Sequence, residues 1–459
     1  MTNDKKQMTK YKLPFLSHPD PKLQLLWSSA QVGLLIFPLA PLWGSVLLGV
    51  ALLGTWLIKY RSIIRQPHNL GFTLLSILLV ISTVFAFDQK EAILGLWNFL
   101  PFILFFAAFS VLIQTPQQLR QLSWILVSTS VVVVVLGLGQ LFFGWTTPRY
   151  WEKIFGLAIA SGGNPPGRMA STFMYANTLA GYLVIAFVLG LGLWLEEYQN
   201  SKLKTQNSRV ISYSPLRLFS PTLSLLFLTI IVIVDFVGLI LTNSRNAWAI
   251  AVFACLVYAL YQGWHFLVAG VTAIATTILL AAFAPQPIAE LFRKFVPAYF
   301  WARLNDQMYP DRPVALLRKT QWQFAWTLTQ QRPWTGWGLR NFTQLYQAKM
   351  HIWLGHPHNF FLMLSAETGL PVTILFCALL GWIFLAGMQL LLNSKTLKTE
   401  DRLIFFSYQV VFGVWVLFNT ADVTLFDLRL NTLSWLIIAA ISGVVCRYSH
   451  YEKFIAKHI

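Results

Sequence analysis

The chain has 459 residues, of which 56% are hydrophobic and 11% are charged. A soluble domain carries about a quarter charged residues, so the composition excludes an ordinary water-soluble protein and indicates one that resides mainly in lipid. The formal net charge of +17 does not indicate nucleic-acid binding, because Lys and Arg cluster beside the apolar runs, as the positive-inside rule requires.

Apolar runs long enough to cross about 30 Å of hydrocarbon recur along the whole chain. They predict an all-α, polytopic bundle of twelve membrane helices. The predicted spans are 23–39, 42–58, 70–87, 97–114, 121–143, 171–194, 221–242, 246–262, 264–283, 359–392, 402–421 and 427–446. The tenth is too long for one straight span, and the sequence Gly369-Leu-Pro371 predicts a kink in it, because proline removes a backbone hydrogen bond.

The placement of Lys and Arg predicts that both termini are cytoplasmic. With this orientation 19 of them fall in the inside segments, six in the short outside loops and nine in the long outside loop, which translocates largely regardless of its charge. The polar start of the chain has no cleavage pattern of a signal peptide. For a bacterial inner membrane we expect a basic cytoplasmic tail (1–22), helices one to nine (23–283), a large periplasmic loop (284–357), helices ten to twelve (358–446) and a second cytoplasmic tail (447–459).

The long loop combines tryptophans with basic residues. We predict a helix over Val314–Gln331, with Arg318, Trp322 and Trp326 in one row at four-residue spacing. This composition is typical of a segment at the lipid interface, and it also suits stacking on sugar rings. Both interpretations stay open.

Polar side chains stand where this loop enters the tenth span, in the stretch HPHNFFLMLSAETGLP. His358 and Asn359 lie near a helix N-terminus, which favours anions and a neutral imidazole. A neutral His358, or His356 in its place, is a candidate general base. Alternatively, Asn359 caps the helix and His358 satisfies a loop carbonyl. A zinc site would need further ligands, and carboxylates in the loop are few and distant in sequence, so we predict neither metal nor cofactor.

Three arginines on the outer side form a second group. Arg168 precedes the sixth span, Arg245 lies in the turn LTNSRNAW, and Arg318 lies in the loop helix. Guanidinium groups bind phosphate in a bidentate fork, so three of them could hold a diphosphate. Lipid headgroups or carboxylate partners are the alternative.

Two carboxylates lie inside predicted spans. Asp235 is an intramembrane acid, for which a functional role such as a proton relay is the default hypothesis; we favour a structural role, with a hydrogen bond to another helix. Glu367 lies about 13 Å along the helix from His358, so we expect it to support packing near the kink.

Four segments resemble one known family. They are GRMASTFMYANTLAGY, LTNSRNAW, LLRKTQWQFAWTLTQQRPWTGWGLRNF and HPHNFFLMLSAETGLP. Their order and predicted outer position are similar to the signatures of the O-antigen ligase and polymerase superfamily, whose members are envelope glycosyltransferases with one large periplasmic loop. The resemblance covers about 165–375.

The resemblance implies a metal-independent, inverting transfer of a glycan from a polyprenyl diphosphate donor to a sugar hydroxyl on a glycolipid or glycan. Carried onto this chain, it implies that His358 takes the proton of the acceptor hydroxyl. It further implies that Arg168, Arg245 and Arg318 hold the diphosphate. Asn177, Asn359, Glu367 and Asp235 would then be supporting residues.

The chain differs from the family pattern at two places, and two alternative functions stay open. The family's small residue after Ser-Arg is Asn246 here, and its Asn-Pro-Asn turn is Tyr175-Ala176-Asn177. The superfamily also contains cyanobacterial proteins described as bicarbonate transporters, to which the last 40 residues are similar. A transporter would depend on Asp235, and a glycan-binding module on the tryptophans. Ligase and polymerase share these motifs.

Overall fold

In a computed structural model, the described residues 17–206, 221–305, 307, 313–393 and 397–458 are helical or irregular and contain no strand. The all-α prediction is confirmed. Residues 1–16 and 459 of the predicted tails lie outside the described residues. The helices are α1 (Gln24–Ile36), α2 (Pro41–Ile64), α3 (Pro67–Val84), α4 (Gln89–Leu96), α5 (Leu100–Leu112), α6 (Pro116–Phe142), α7 (Arg149–Phe155), α8 (Ala176–Gln206), α9 (Pro221–Leu241), α10 (Arg245–Tyr261), α11 (His265–Phe283), α12 (Gln286–Arg293), α13 (Ala298–Leu304), α14 (Arg318–Gln331), α15 (Asn341–Met350), α16 (Phe360–Asn393), α17 (Thr399–Asn419) and α18 (Leu428–His458).

Every predicted span overlaps a helix, and within the described residues ten helical segments are long and apolar enough to cross a membrane. The other two predicted spans correspond to α1, with 13 residues, and α10, with 17. The total of twelve and the orientation therefore stay predictions. The fourth predicted span, 97–114, begins too early, because residues 97–99 form a turn and α5 starts only at Leu100.

The predicted start of the sixth span, at 171, is wrong. Ser171–Phe173 forms one 3₁₀ turn, and Met174 has a φ of 61°, so that α8 begins only at Ala176. A left-handed residue ends helical continuity. Arg429 fixes this turn: its Nη1 donates to the Thr172 carbonyl at 2.6 Å, and its guanidinium lies 4.0 Å from the Phe173 ring centre.

The kink in the tenth predicted span is confirmed at Gly369, which has a φ of 80° and a ψ of 170° inside α16. A Cβ atom here would lie 2.7 Å from the Trp334 carbonyl carbon, so the backbone approach itself requires glycine. The long loop is bound at this break in α16, since the Leu370 amide donates to the Pro333 carbonyl at 2.7 Å.

The loop helices α14 and α15 pack on the first part of α16 around Ala325, Leu328, Phe342, Tyr346 and Ala366. The helix predicted over Val314–Gln331 is shorter than expected. Val314–Leu316 forms a separate 3₁₀ turn, and the extended ψ of 134° at the following residue interrupts the helix, so Leu317 does not share a face with the later apolar residues.

A buried ionic cluster connects three helices at the end where α6 begins. Arg120, which is 3% exposed, pairs with Glu196 of α8 at 2.6 Å and with Asp401 of α17 at 2.7 Å. The guanidinium also donates to the Glu400 carbonyl at 2.6 Å. Hydrogen bonds from one guanidinium thus reach both neighbouring helices, which fixes α6, α8 and α17 together at this end.

Candidate functional site: a histidine pair around Asp422

The stretch from His356 to Asn359 lies where the loop enters α16. Asn359 caps this helix, because its Oδ1 accepts from the Leu362 amide at 3.0 Å. Its Nδ2 donates in turn to the Thr420 carbonyl at 3.0 Å, which joins the start of α16 to the end of α17. His358 has a φ of 51°, in the left-handed region. This conformation costs about 1–2 kcal/mol for a residue other than glycine. It directs the imidazole ring of His358 towards the turn between α17 and α18.

Both histidines converge on one carboxylate, that of Asp422 in the turn between α17 and α18. Its Oδ1 lies 3.3 Å from His358 Nδ1 and 3.7 Å from His356 Nε2. The His358 backbone amide donates to His356 Nδ1 at 3.1 Å. Both ring nitrogens of His356 thus face polar groups, whereas His358 Nε2 makes no hydrogen bond within the described residues. We call His356, His358 and Asp422 the Asp422 cluster.

Burial sets the electrostatics of the cluster. It lowers the pKa of His356 to about 4, with the charges of His358 and Arg318 acting in the same direction and Asp422 opposing them. Burial raises the pKa of Asp422, but the hydrogen bond from His358 and the charges of both histidines outweigh it and leave this pKa below its ordinary value. His356 is therefore neutral and Asp422 ionised at neutral pH.

Asn177 connects this carboxylate to Arg168. Its Nδ2 donates to Asp422 Oδ2 at 2.9 Å, and its Oδ1 accepts from Arg168 Nη2 at 2.6 Å. Arg168 Nε donates to the Thr242 carbonyl at 2.8 Å, which ties the segment before α8 to the end of α9. The substituted turn that ends in Asn177 therefore contributes directly to the cluster.

Asn246 connects Arg318 to the backbone next to Asp422. Its Nδ2 donates to the Ala421 carbonyl at 3.1 Å, next to Asp422, and its Oδ1 accepts from Arg318 Nη1 at 3.2 Å. Arg318 is the first residue of α14, and Arg245 is the first residue of α10, adjacent to Asn246. The structure therefore brings Arg168 and Arg318 to the Asp422 cluster through two asparagines, and places Arg245 next to one of them.

The other two predicted supporting residues lie apart from the cluster. Glu367 is 2% exposed and binds the loop: its Oε1 accepts from the Phe342 amide at 3.3 Å, and its carbonyl accepts from the Gly338 amide at 2.7 Å. Asp235 is fully buried, and neither of its carboxylate oxygens has a hydrogen-bond partner within the described residues. The nearest polar group is the Ser130 hydroxyl of α6, so the hydrogen bond to another helix that the sequence analysis favoured for Asp235 stays a prediction.

The Asp422 cluster also has the ligand atoms of a metal site. One ligand atom from each of His356, His358 and Asp422 lies within 4.8 Å of the others. Two imidazoles and a carboxylate form a donor set that zinc accepts, with a fourth position left for water or substrate. The sequence analysis looked for such a carboxylate only within the loop, and the structure supplies it from the α17–α18 turn.

Asp422 is the candidate site residue that sequence reasoning missed. It lies 64 positions after His358, in the run FNTADVTLFD between the last two predicted spans. A signal was present, because this short turn is predicted on the same outer side as the histidines and contains two acids. The positive-inside count uses only Lys and Arg, so it ignored both.

The fold and site define a polytopic membrane protein with a histidine–carboxylate cluster flanked by arginines at one end of the bundle. A model of the family described as O-Antigen ligase matches residues 227–377. This match confirms the resemblance to the O-antigen ligase superfamily and supports a glycosyltransferase of that general type. The matched segment contains Arg245, Arg318, His356 and His358, whereas Asp422 lies outside it. No curated protein matches the chain.

Proposed function

We propose that the protein is an inner-membrane glycosyltransferase that moves a glycan from a polyprenyl diphosphate to a sugar hydroxyl. One observation carries the proposal: the carboxylate of Asp422 faces Nδ1 of His358, and the same carboxylate is connected through Asn177 to Arg168. His358 as a general base and Arg168 as a cation are thus both connected to Asp422. A transfer with an anionic leaving group requires a base and a cation close together.

His358 is the proposed general base. Ionised Asp422 accepts a hydrogen bond from the Nδ1–H group of neutral His358, which leaves the Nε2 lone pair for the acceptor hydroxyl. The separation of 3.3 Å is long for such a bond, and catalytic hydrogen bonds commonly shorten when substrate is bound. His356 is the weaker candidate, because its Nδ1 already accepts from a backbone amide and its low pKa opposes proton uptake.

The proposed reaction is a single displacement. His358 Nε2 removes the proton of the acceptor hydroxyl while the acceptor oxygen bonds to the anomeric carbon. The bond from that carbon to the diphosphate oxygen breaks, and polyprenyl diphosphate leaves with both electrons. Arg168, Arg318 and Arg245 stabilise the charge that develops on the diphosphate. Attack opposite to the leaving group inverts the anomeric configuration, and the balance requires no metal and no cofactor.

The acceptor decides between ligation and polymerisation. A glycolipid acceptor would make the protein a ligase, and the growing end of a second glycan would make it a polymerase. Nothing in the Asp422 cluster favours one hydroxyl over another. Both donor and acceptor would enter beside the loop helices, where Trp326, Trp334 and Trp353 are exposed and can stack on sugar rings.

The test is an assay of purified protein with a polyprenyl diphosphate oligosaccharide, candidate acceptors and EDTA. Release of polyprenyl diphosphate should disappear in His358→Ala and persist in His265→Ala, because His265 is exposed at the start of α11 and makes no contact with the cluster. The mass of the product separates ligation from polymerisation. Equal release by His358→Ala and the wild type would contradict the mechanism.

The bicarbonate transporter is the second candidate, and the fully buried carboxylate of Asp235 favours it. Such a transporter would require Asp235 and tolerate loss of His358. Bicarbonate uptake into vesicles by wild type, Asp235→Asn and His358→Ala separates the two functions. Uptake that is lost in Asp235→Asn alone would replace the glycosyltransferase proposal.

A further inference from the structure

A cavity of about 420 Å³ with charged and apolar walls lies at the end of the bundle opposite to the Asp422 cluster. Its walls come from the ends of α2 and α5, the middle of α18, the start of α3 and the segment before α1. Arg447, on one wall, lies 19 residues beyond the start of α18, which is about 28 Å along that helix. The cavity is therefore separate from the proposed active site.

The charge of the lining is predominantly positive. Lys59, Arg65 and Arg447 line the cavity, and Asp20 is the acidic residue among them. Lys59 Nζ pairs with Asp20 Oδ2 at 2.6 Å, so this pair is neutral overall. Arg65 and Arg447 are exposed and form no salt bridge within the described residues. Two guanidinium groups are thus left to balance an anion.

The remaining walls are mixed. Ser110 donates through its hydroxyl to Gln66 Oε1 at 2.9 Å, and Gln114 and Ser62 add further neutral polar groups. Leu23 and Val111 supply apolar wall. The backbone at Lys59 is non-helical, with a φ of −120° and a ψ of 18°, which bends α2 at the cavity. Such walls suit a ligand with an anionic group at one end and apolar parts at the other.

We propose that this cavity binds the phosphate of an anionic headgroup, with Arg65 and Arg447 as its cationic ligands. Guanidinium groups bind phosphate oxygens in a bidentate fork, and a volume of this size accommodates a small ligand. Basic pockets between membrane helices on the cytoplasmic side are typical sites for anionic phospholipids. The phosphate group is the shared chemistry, and either a lipid or a soluble phosphoester could supply it. The proposal does not depend on the proposed glycan transfer.

The test uses the full-length chain in phosphatidylcholine nanodiscs, with and without a minor fraction of phosphatidylglycerol, and a third arm with soluble glycerol phosphate in the buffer. Ligand retained by the protein is counted by native mass spectrometry after release. Arg65→Gln/Arg447→Gln is the test variant. Arg61→Gln/Lys398→Gln is the matched control, because it removes two exposed basic side chains that do not line the cavity.

Retention of phosphatidylglycerol that falls about tenfold or more in the test variant, and not in the control, supports the proposal, since each guanidinium loses charge-assisted hydrogen bonds. The same pattern with glycerol phosphate alone supports the phosphate site and assigns it a soluble ligand. Equal retention by test and control variants in both arms overturns the proposal. We expect the Tm of the test variant to be unchanged, because both arginines are exposed, so that a loss of retention reports the binding site.

Discussion

Replacing Asp422 with asparagine tests how the candidate site works, because it removes one charge and almost no volume. Asp422 Oδ1 receives the Val423 amide at 2.9 Å and His358 Nδ1 at 3.3 Å, while Oδ2 receives Asn177 Nδ2 at 2.9 Å. An amide has one oxygen and one NH₂ group. In either orientation, the NH₂ group of the new side chain must therefore face a donor.

The orientation of the Asn177 amide determines which group of the new side chain loses its partner. Its Oδ1 accepts from Arg168, so its Nδ2 has to point at residue 422. We expect the new amide to keep its oxygen towards His358 and Val423, with its NH₂ against that of Asn177. A donor left without an acceptor in a buried site costs about 1–3 kcal/mol of stability.

The effect of Asp422→Asn on kcat is separate from its effect on stability. As His358 takes up a proton, imidazolium and carboxylate 3.3 Å apart attract each other by about 5 kcal/mol at an effective dielectric constant of about 20. The amide oxygen keeps the hydrogen bond but loses the full charge. With about half of the attraction lost, 2–3 kcal/mol, we expect kcat to fall about 30- to 150-fold.

The assay is release of polyprenyl diphosphate, with kcat and KM determined separately and Tm measured on the same preparations. Asn177→Asp/Asp422→Asn is the matched control, because a carboxylate at position 177 would accept from both Arg168 and the new amide at position 422. We expect this double variant to regain Tm and to keep the low kcat, since the charge beside His358 is still absent. A folded Asp422→Asn variant with kcat within about threefold of the wild type would refute the reasoning, because the charge term alone predicts more.

Three further outcomes are expected. Asn246→Ala should lower kcat/KM for the donor about tenfold with little change in Tm, since Arg318 loses the amide oxygen that positions it; unchanged donor kinetics would remove Arg318 from donor binding. Asp235→Asn should leave transfer within about twofold and Tm equal or higher, because a fully buried carboxylate is costly; loss of transfer at an unchanged Tm would place Asp235 in the mechanism. Micromolar Zn²⁺ should inhibit transfer, and EDTA should restore it, because zinc bound to His356 and Asp422 would also capture His358; activity that is stimulated by Zn²⁺ would contradict the metal-independent reaction.

The helices were predictable because the thickness of the hydrocarbon determines how long an apolar run must be. The break in α16 was predictable as well, since Gly369 and Pro371 act through local backbone geometry. The start of α8 was not. Its position depends on the contact of Arg429 with Thr172 and Phe173, which are more than 250 positions away along the chain, and local hydropathy carries no information on such a contact.

The candidate site was predictable only in part, for the same reason. His358, Arg318 and Arg168 were identified because a helix N-terminus and the outer loops are local features. Asp422 was missed, because its importance follows from its distance to His358 in space. The sequence also identified Asn246 as a departure from the family pattern, but only the fold gives it the position between Arg318 and the Ala421 carbonyl.

The ionic cluster of Arg120 with Glu196 and Asp401 lies on two helices that also lead to this site. Along α8, Glu196 lies about 28 Å from Asn177, and along α17, Asp401 lies about 27 Å from Asn419, three residues before Asp422. The guanidinium of Arg120 thus holds α8 at Glu196 and α17 at Asp401. The opposite ends of these helices lead to Asn177 and Asp422, which are joined by a hydrogen bond of 2.9 Å. A slip of a single residue, about 1.5 Å, would separate those partners. We therefore expect a substitution at Arg120 to lower the proposed transfer activity, although Arg120 lies about a full membrane thickness away from the Asp422 cluster.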